Sequence, residues 1–165
     1  MDLTRRPGIQ QEEVPLGPLV ADLQRLWSPT LAIHNISFGW EAPEPCVLFV
    51  DRKQMEQLFI NLVNNSVDAM PEGGHLHLAA QREPGASRWQ VRLSDTGTGI
   101  APEILAKVFR PMFTTKPEGQ GTGLGLAICR EIVRAHGGEI HIESEEGQGT
   151  TMSFSLPAVP GPAAA

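Results

Sequence analysis

The spacing of apolar side chains divides the first third of the chain into one helix and two strands. Residues 16–31 carry apolar side chains at helical spacing, and Pro29 predicts that this amphipathic helix ends near Trp27. Residues 36–40 alternate between apolar and polar or small positions, as in a half-buried strand. Residues 47–50 are continuously apolar and predict a second, short strand.

A second helix is predicted from Asp51 to about Met70, where Pro71 stops it. Aspartate is a frequent N-cap residue, and Gln54 stands where it would complete a capping box. At helical spacing, the inward-facing stripe consists of Met55, Leu58, Phe59, Leu62, Val63 and Ser66.

The rest of the chain shows two pairs of strands separated by a helix. Residues 76–80 and 89–93 alternate on either side of a turn, which predicts an antiparallel hairpin. Residues 124–136 form an amphipathic helix that the following glycine pair ends. Residues 140–142 and 152–156 form a final pair of strands.

These elements predict an α+β fold, a two-layer α/β sandwich. Because each long strand alternates, the sheet should have one buried and one solvated face, with all helices on the buried side. A doubly wound Rossmann sheet would instead need continuously apolar strands and a glycine loop after its first strand. We expect a linker at residues 1–15, the domain at 16–157 and a disordered tail at 158–165.

Bulk composition narrows the function classes. With 165 residues, 41% of them hydrophobic and 19% charged, the chain is expected to form one domain. A net charge of −6 argues against a nucleic-acid partner. Cys46 and Cys129 are expected to be buried thiols in a reducing compartment. No apolar run reaches the length of a bilayer span and no signal peptide is evident, so we predict a cytoplasmic domain without direct membrane contact.

Three polar residues share one arc of the second helix. Asn61, Asn65 and Asp68 are four and then three positions apart. Asparagine is a poor helix former, and its amide oxygen is a hard, neutral ligand suited to Mg²⁺. The alternative is a solvated polar helix face.

Asp95 ends a strand and precedes Gly97 and Gly99. A carboxylate in this position can accept a hydrogen bond from the amino group of adenine, whereas guanine presents a carbonyl there. The glycines would let the backbone pass close to the base. Alone, this pattern is a weak signal, because aspartate and glycine are common where strands end.

A second glycine cluster, residues 121–126, opens the third predicted helix and predicts a phosphate site at its N-terminus. Its pattern fits neither the Rossmann nor the Walker motif. Between the two clusters, residues 109–116 join aromatic anchors to a loop, in which Lys116 and Arg110 could neutralise phosphate charge. His75 and His77 are expected to be exposed and structural, and His136 to cap helix carbonyls.

Taken together, these motifs resemble the catalytic ATP-binding domain of bacterial sensor histidine kinases, in the wider family that includes DNA gyrase, heat-shock chaperone and mismatch-repair ATPases. NLVNNSVDAM is similar to the N box, DTGTGI to the G1 box, FRPMFTTK to the F box, GTGLGL to the G2 box and GQGT to the G3 box. DAMPEGG and PMFTTKPEGQGTGLGLAI most resemble the nitrogen-regulation and acetoacetate-sensing kinases.

The resemblance implies a Bergerat fold that holds ATP and Mg²⁺ between the N-box helix and a lid. It assigns Asn65 and Asn61 to Mg²⁺ and to catalysis together with Lys116, and Asp95 to the adenine amino group. The remaining nucleotide-binding residues that it implies are Asp68, Gly97, Gly99, Ile100, Gly121, Thr122, Gly123, Leu124, Gly125, Leu126 and Thr150.

The resemblance also implies a reaction and its partners. Hydrolytic relatives carry a glutamate as general base where this chain has Asn61, so the site favours transfer of the γ-phosphoryl group over attack by water. The acceptor would be a histidine on an upstream dimerisation hairpin, which this sequence lacks, and a response regulator would act downstream. A non-catalytic ATP-binding regulatory module is the alternative, and Asn61 speaks against a serine kinase that regulates a sigma factor.

Overall fold

The computed structural model describes residues 8–85, 87–110 and 125–159. In these ranges the helices are α1 (Leu16–Ile33), α2 (Arg52–Asp68), α3 (Pro102–Leu105) and α4 (Gly125–Ala135). The strands are β1 (Glu12–Pro15), β2 (Ile36–Glu41), β3 (Val47–Val50), β4 (Gly74–Arg82), β5 (Arg88–Asp95), β6 (Ile140–Glu145) and β7 (Gly149–Pro157).

The described strands form a mixed, mostly antiparallel sheet in the order β2-β4-β5-β7-β6, and β1 and β3 form a separate antiparallel pair. Only β2 and β4 run parallel in the larger sheet. Its alternating apolar residues pack with those of α1, α2 and α4 into one hydrophobic core. His75 and His77 lie on the exposed face, as predicted. The predicted α+β sandwich and its β4–β5 hairpin are confirmed.

The segment before α1 is more ordered than a linker. Residues 12–15 form β1, and the register pairs Glu12 with Val50 and Pro15 with Val47. The amide of Leu16 donates to the carbonyl of Cys46 at 2.9 Å. The expected linker boundary at residue 15 is therefore wrong for β1. Val14 is the one buried residue of this short strand, so its sequence carries no periodic signal.

The C-terminal end of the domain also extends beyond its predicted boundary. Ala158, expected to begin a disordered tail, is only 4% exposed and forms a bridge with Leu48. Its amide donates to the carbonyl of Ser87 at 2.9 Å. The ordered part of the chain therefore extends at least one residue past the predicted boundary at 157.

Helix α1 continues past Pro29 to Ile33, so its predicted end near Trp27 is wrong. Proline removes one helical N–H donor and usually ends or kinks a helix. Here Trp27 and Leu31, on either side of Pro29, are both buried in the core. Tertiary packing of these side chains stabilises the last turn despite the proline.

The start of α2 confirms half of the predicted capping box. The Asp51 carboxylate accepts a hydrogen bond from the Gln54 amide at 3.3 Å. The amide of Asp51, however, donates to Nε2 of His136 at 3.0 Å, where a capping box would use the Gln54 side chain. The six residues predicted to face inward from α2 are all buried.

Helix α4 ends with two backbone hydrogen bonds of a Schellman motif. The amide of Gly138 donates to the carbonyl of Val133, and the amide of Gly137, at φ 79°, donates to that of Arg134. His136 is 3% exposed, and its Nδ1 lies 2.7 Å from the carbonyl oxygen of Ile132. The predicted carbonyl cap by His136 is confirmed.

Candidate functional site

Three polar side chains form a row across the end of the sheet. The strand register places Thr150 of β7 opposite Asp95 of β5 on one side and opposite Ser144 of β6 on the other. These three residues occupy inward-facing positions of their strands, and the other inward-facing side chains of these strands are apolar. A polar row at the edge of an apolar layer is therefore built into the strand pairing.

Asp95 is the ionisable member of this row. Its Oδ1 accepts a hydrogen bond from the amide of Gly97 at 2.9 Å. Burial raises the pKa of the Asp95 carboxyl, and hydrogen bonds from the Gly97 amide, the Ser66 hydroxyl and the Thr150 amide partly oppose that rise. A carboxylate has about four lone-pair positions, so three protein donors leave room for a further donor.

The loop after β5 is fastened to the end of α2. The amide of Thr98 donates to the carbonyl of Ala69 at 2.9 Å. A Cβ on Gly97 would lie 2.5 Å from the same carbonyl oxygen, closer than any real Cβ contact. Gly97 therefore permits α2 and the loop after Asp95 to touch through their backbones.

The same loop is fastened to the β6–β7 turn. The amide of Gly147 donates to the carbonyl of Thr98 at 2.7 Å. Gly99 has φ 72°, and a Cβ there would lie 2.1 Å from the carbonyl oxygen of Glu145. Base contact by Gly97 and Gly99 stays a prediction, but backbone packing already requires glycine at both positions.

A cavity of about 320 Å³ opens beside the polar row. Asp95 and Thr150 line it, together with Glu143, Ser144, Glu145, Gln148, Gly149 and Thr151. The Asp95 carboxylate in the lining of this cavity suits a ligand group that donates a hydrogen bond.

The predicted metal ligands lie on the side of α2 next to α4. Asn61 and Asn65 are half-buried, and Asp68 is exposed. Asn61 hydrogen-bonds the Cys129 thiol of α4, which itself donates to the carbonyl of Leu58 at 3.9 Å. Since the thiol hydrogen is used for that carbonyl, the Asn61 amide nitrogen is the donor to sulfur, and the amide oxygen keeps its acceptor capacity.

This donor set fits Mg²⁺. The amide oxygens of Asn61 and Asn65, one helical turn apart, are hard oxygen ligands, and Mg²⁺ accepts a few such groups beside water and phosphate. The described residues contain no group of three or more His, Cys, Asp or Glu side chains that could hold a metal ion by themselves. The available donors thus suit a metal shared with a nucleotide better than a cage made of protein groups.

Only the end of the predicted phosphate-binding segment lies within the described residues. Gly125 and Leu126 begin α4 and are half-buried, and a Cβ on Gly125 would meet no described atom within 4 Å. Lys116, Gly121, Thr122, Gly123 and Leu124 lie outside the described residues.

The segment before those residues ends against α4. Phe109 is half-buried and packs against the core, and the guanidinium carbon of Arg130 lies 5.6 Å from its ring centroid. This arrangement is a cation–π contact. Phe109, predicted to be an aromatic anchor, is thus held at the surface of α4, while Arg110 beside it is exposed.

The sequence pattern does not predict that Ser66 and Ser144 belong to this site. The sequence pattern places Ser66 on the core-facing stripe of α2, and it is 5% exposed, but its hydroxyl also hydrogen-bonds Asp95. The sequence pattern predicts no role for Ser144. Its hydroxyl contacts the amide of Ile100, in the loop after β5, and the hydroxyl of Thr150 in β7. Each is a serine at an inward position where the neighbouring inward residues of its element are apolar. A polar residue in such a position is the sequence feature that indicates a site.

The comparisons with known proteins agree with this geometry. A family model described as "Histidine kinase-, DNA gyrase B-, and HSP90-like ATPase" matches residues 50–160. The sensor kinase CckA of Brucella abortus is 42% identical over 93% of this chain and 18% of its own length. The sensor histidine kinase ZraS of Klebsiella oxytoca is 35% identical over 95% of this chain and 34% of its own. The chain therefore spans about a fifth to a third of these relatives.

Solved structures of histidine kinases are also similar to this chain. The nucleotide-free catalytic domain of the histidine kinase ThkA is 34% identical, with a TM-score of 0.80 over 90% of this chain and 96% of that domain. Full-length ShkA in complex with AMPPNP is 29% identical, with a TM-score of 0.82 over 94% and 32%. ThkA in complex with the response regulator protein TrrA is 29% identical, with a TM-score of 0.75 over 90% and 42%.

Proposed function

We propose that this chain, which belongs to the histidine kinase-, DNA gyrase B- and HSP90-like ATPase family, binds ATP and transfers its γ-phosphoryl group to a histidine of a sensor kinase. The observation that carries the proposal is the partly desolvated Asp95 carboxylate, held at the end of β5 by N–H and O–H donors. The likeness to histidine kinase catalytic domains supports the reaction class.

The base end of the site is the cavity beside Asp95. Three protein donors hold the carboxylate, and its remaining acceptor capacity is expected to meet the amino group of adenine. A guanine carbonyl in the same place would set one acceptor against another, the Asp95 carboxylate, at a cost of about 1–3 kcal/mol in binding free energy. Gly97, Gly99, Ile100 and Thr150 are proposed to surround the base.

The phosphate end is proposed to lie between α2 and the start of α4. Asn65 and Asn61 would hold Mg²⁺, with Asp68 beside them, and Lys116 would contact a phosphate. The glycine-rich residues 121–125 with Leu126 would bind phosphate at the N-terminus of α4. Bound Mg²⁺ would supply neutralisation of phosphate charge.

Asn61 decides between transfer and hydrolysis. An amide cannot accept a proton from water as a carboxylate can, and here its nitrogen is held by Cys129. The site therefore contributes positioning and charge neutralisation to the reaction, and the nucleophile comes from outside the chain. We propose that this nucleophile is a histidine on a dimerisation hairpin of the full-length kinase.

The partners follow from the same proposal. ThkA has been solved with a response regulator protein, and we propose a response regulator as the downstream partner of this chain's full-length protein. DAMPEGG supports a subtype close to the nitrogen-regulation and acetoacetate-sensing kinases. We propose that residues 16–157, extended by β1 and by Ala158, form the catalytic domain of a kinase that works in the cytoplasm. No helix among the described residues has the length and apolar character to cross a bilayer.

The test is reconstituted transfer. The chain is mixed with a separately produced histidine hairpin of a related kinase and γ-labelled ATP with Mg²⁺, and label on histidine is measured. Transfer is expected from the unaltered chain and should fall at least about 100-fold in Asn65→Ala, because phosphate and metal lose their alignment. Asn64→Ala is the matched control, since Asn64 is an exposed asparagine of the same helix. An equal loss in both variants would contradict the specific role of Asn65. ATP binding by the unaltered chain without any transfer would favour the non-catalytic regulatory module.

A further inference from the structure

Ser144 joins three segments at the base end of the cavity. Its Oγ accepts a hydrogen bond from the amide of Ile100 at 2.8 Å and donates one to the carbonyl of Gly149 at 3.0 Å. Its third contact is the Thr150 hydroxyl, 2.8 Å away. One hydroxyl group therefore ties the loop after β5 and the first residues of β7 to the end of β6.

The proton count in this cluster fixes the direction of the Thr150 hydroxyl. A serine hydroxyl carries one hydrogen. The Ser144 hydrogen is directed at the Gly149 carbonyl, so the short contact with Thr150 needs a hydrogen from the Thr150 hydroxyl. Thr150 then has no hydrogen left for a ligand, and its Oγ1 can present only lone pairs.

Thr150 stands between Ser144 and Asp95 in the strand register, and all three residues line the same cavity. With its hydrogen committed to Ser144, Thr150 adds a second acceptor beside the Asp95 carboxylate. Two acceptors side by side can each accept one of the two hydrogens of an amino group, and both would oppose a carbonyl in its place.

We propose that Ser144 is a positioning residue that sets base specificity by committing the Thr150 hydrogen, so that Thr150 and Asp95 both act as acceptors. This inference rests on the proposed function, because it assumes that the base of the nucleotide occupies this cavity. Ser144 acts on the base specificity through Thr150.

The experiment compares affinities for non-hydrolysable analogues of ATP and of inosine triphosphate, which has a carbonyl in place of the amino group. In Ser144→Ala, Thr150 can rotate and donate to that carbonyl. The preference for the adenine analogue should then fall about tenfold. Ser144→Thr keeps a hydroxyl and should keep the preference.

The matched control is Ser155→Ala. Ser155 lies on β7 about 17 Å from Thr150, and its hydroxyl also accepts a backbone amide hydrogen, from Glu139 at 3.5 Å. This variant should keep the preference of the unaltered chain. An equal loss of affinity for both analogues in Ser144→Ala would show a purely structural role and overturn the inference, as would an unchanged preference.

A second substitution tests the route through Thr150. In a Thr150→Val background, Ser144→Ala should leave the preference unchanged, because the hydroxyl through which it acts is gone. A further fall in preference in this double variant would overturn the inference. If Ser144→Ala does not fold, Ser144→Thr provides the test, and loss of the preference in that variant would overturn the inference. If the unaltered chain shows no preference for the adenine analogue, the proposed base site itself fails, which is a separate outcome.

Discussion

The amide of Thr98 donates a hydrogen bond to the carbonyl of Ala69 at 2.9 Å, which fastens the loop after Asp95 to the end of α2. The residues proposed to bind the base and those proposed to bind Mg²⁺ thus belong to segments that touch through backbone atoms. A displacement of either segment would move both ends of the nucleotide site.

Gly97→Ala tests this contact. The added Cβ would lie 2.5 Å from the Ala69 carbonyl oxygen, so the loop or helix must shift, and the free energy of unfolding should fall by about 1–3 kcal/mol. Chemical denaturation measures the loss. Gly39→Ala is the control, because its Cβ would make only an ordinary 3.5 Å contact with His77 on the exposed sheet face. Equal stability of the two variants would contradict the steric explanation.

His136→Ala should destabilise the domain by removing the acceptor for the Asp51 amide at the start of α2. A buried donor left unpaired costs about 1–3 kcal/mol. His136→Gln can return an acceptor and should recover part of the loss. The exposed His141 of β6 provides the control substitution His141→Ala. Thermal unfolding compares the three variants, and a loss as large in His141→Ala would remove the special role of His136.

Both cysteines should resist thiol reagents while the chain is folded. Burial raises the pKa of the Cys129 thiol to about 12 and that of Cys46 to about 11, so little thiolate exists at pH 8. Cys129 is also fully buried. Labelling at pH 8 should be slow in buffer and complete within minutes in denaturant. Rapid modification of Cys129 in the folded chain would show that α4 separates from α2.

The stability difference between the original chain and Asp95→Asn should depend on pH. Because burial raises the pKa of Asp95 above the ordinary value of 3.8, the folded state holds this proton more tightly than the unfolded state. The resulting stabilisation is present below pH 3.8 and is lost as pH rises through the folded pKa. The difference in unfolding free energy between the original chain and the variant should therefore fall with pH over that window. A flat or rising difference would contradict the burial of this carboxyl.

Local patterns predicted the architecture well because most of the fold rests on periodic burial. The α2 stripe and the alternating strands are examples, and Asp51 caps α2 as predicted. The errors arise where tertiary contacts override local signals. Pro29 lies inside a helix that packing extends, and β1 exists because β3 pairs with it. Ser66 acquires its role only when α2 packs against the end of β5 beside Asp95, and Ser144 only when strand register places it opposite Thr150.

The most direct test of the account is calorimetric titration of the chain with non-hydrolysable analogues of ATP and GTP in the presence of Mg²⁺, repeated with Asp95→Asn. The original chain should bind the ATP analogue and should bind the GTP analogue at least about tenfold more weakly. Asp95→Asn should weaken binding of the ATP analogue by about 1–3 kcal/mol. Equal affinity for both analogues, or unchanged affinity in the variant, would contradict the assignment of Asp95 to the adenine amino group.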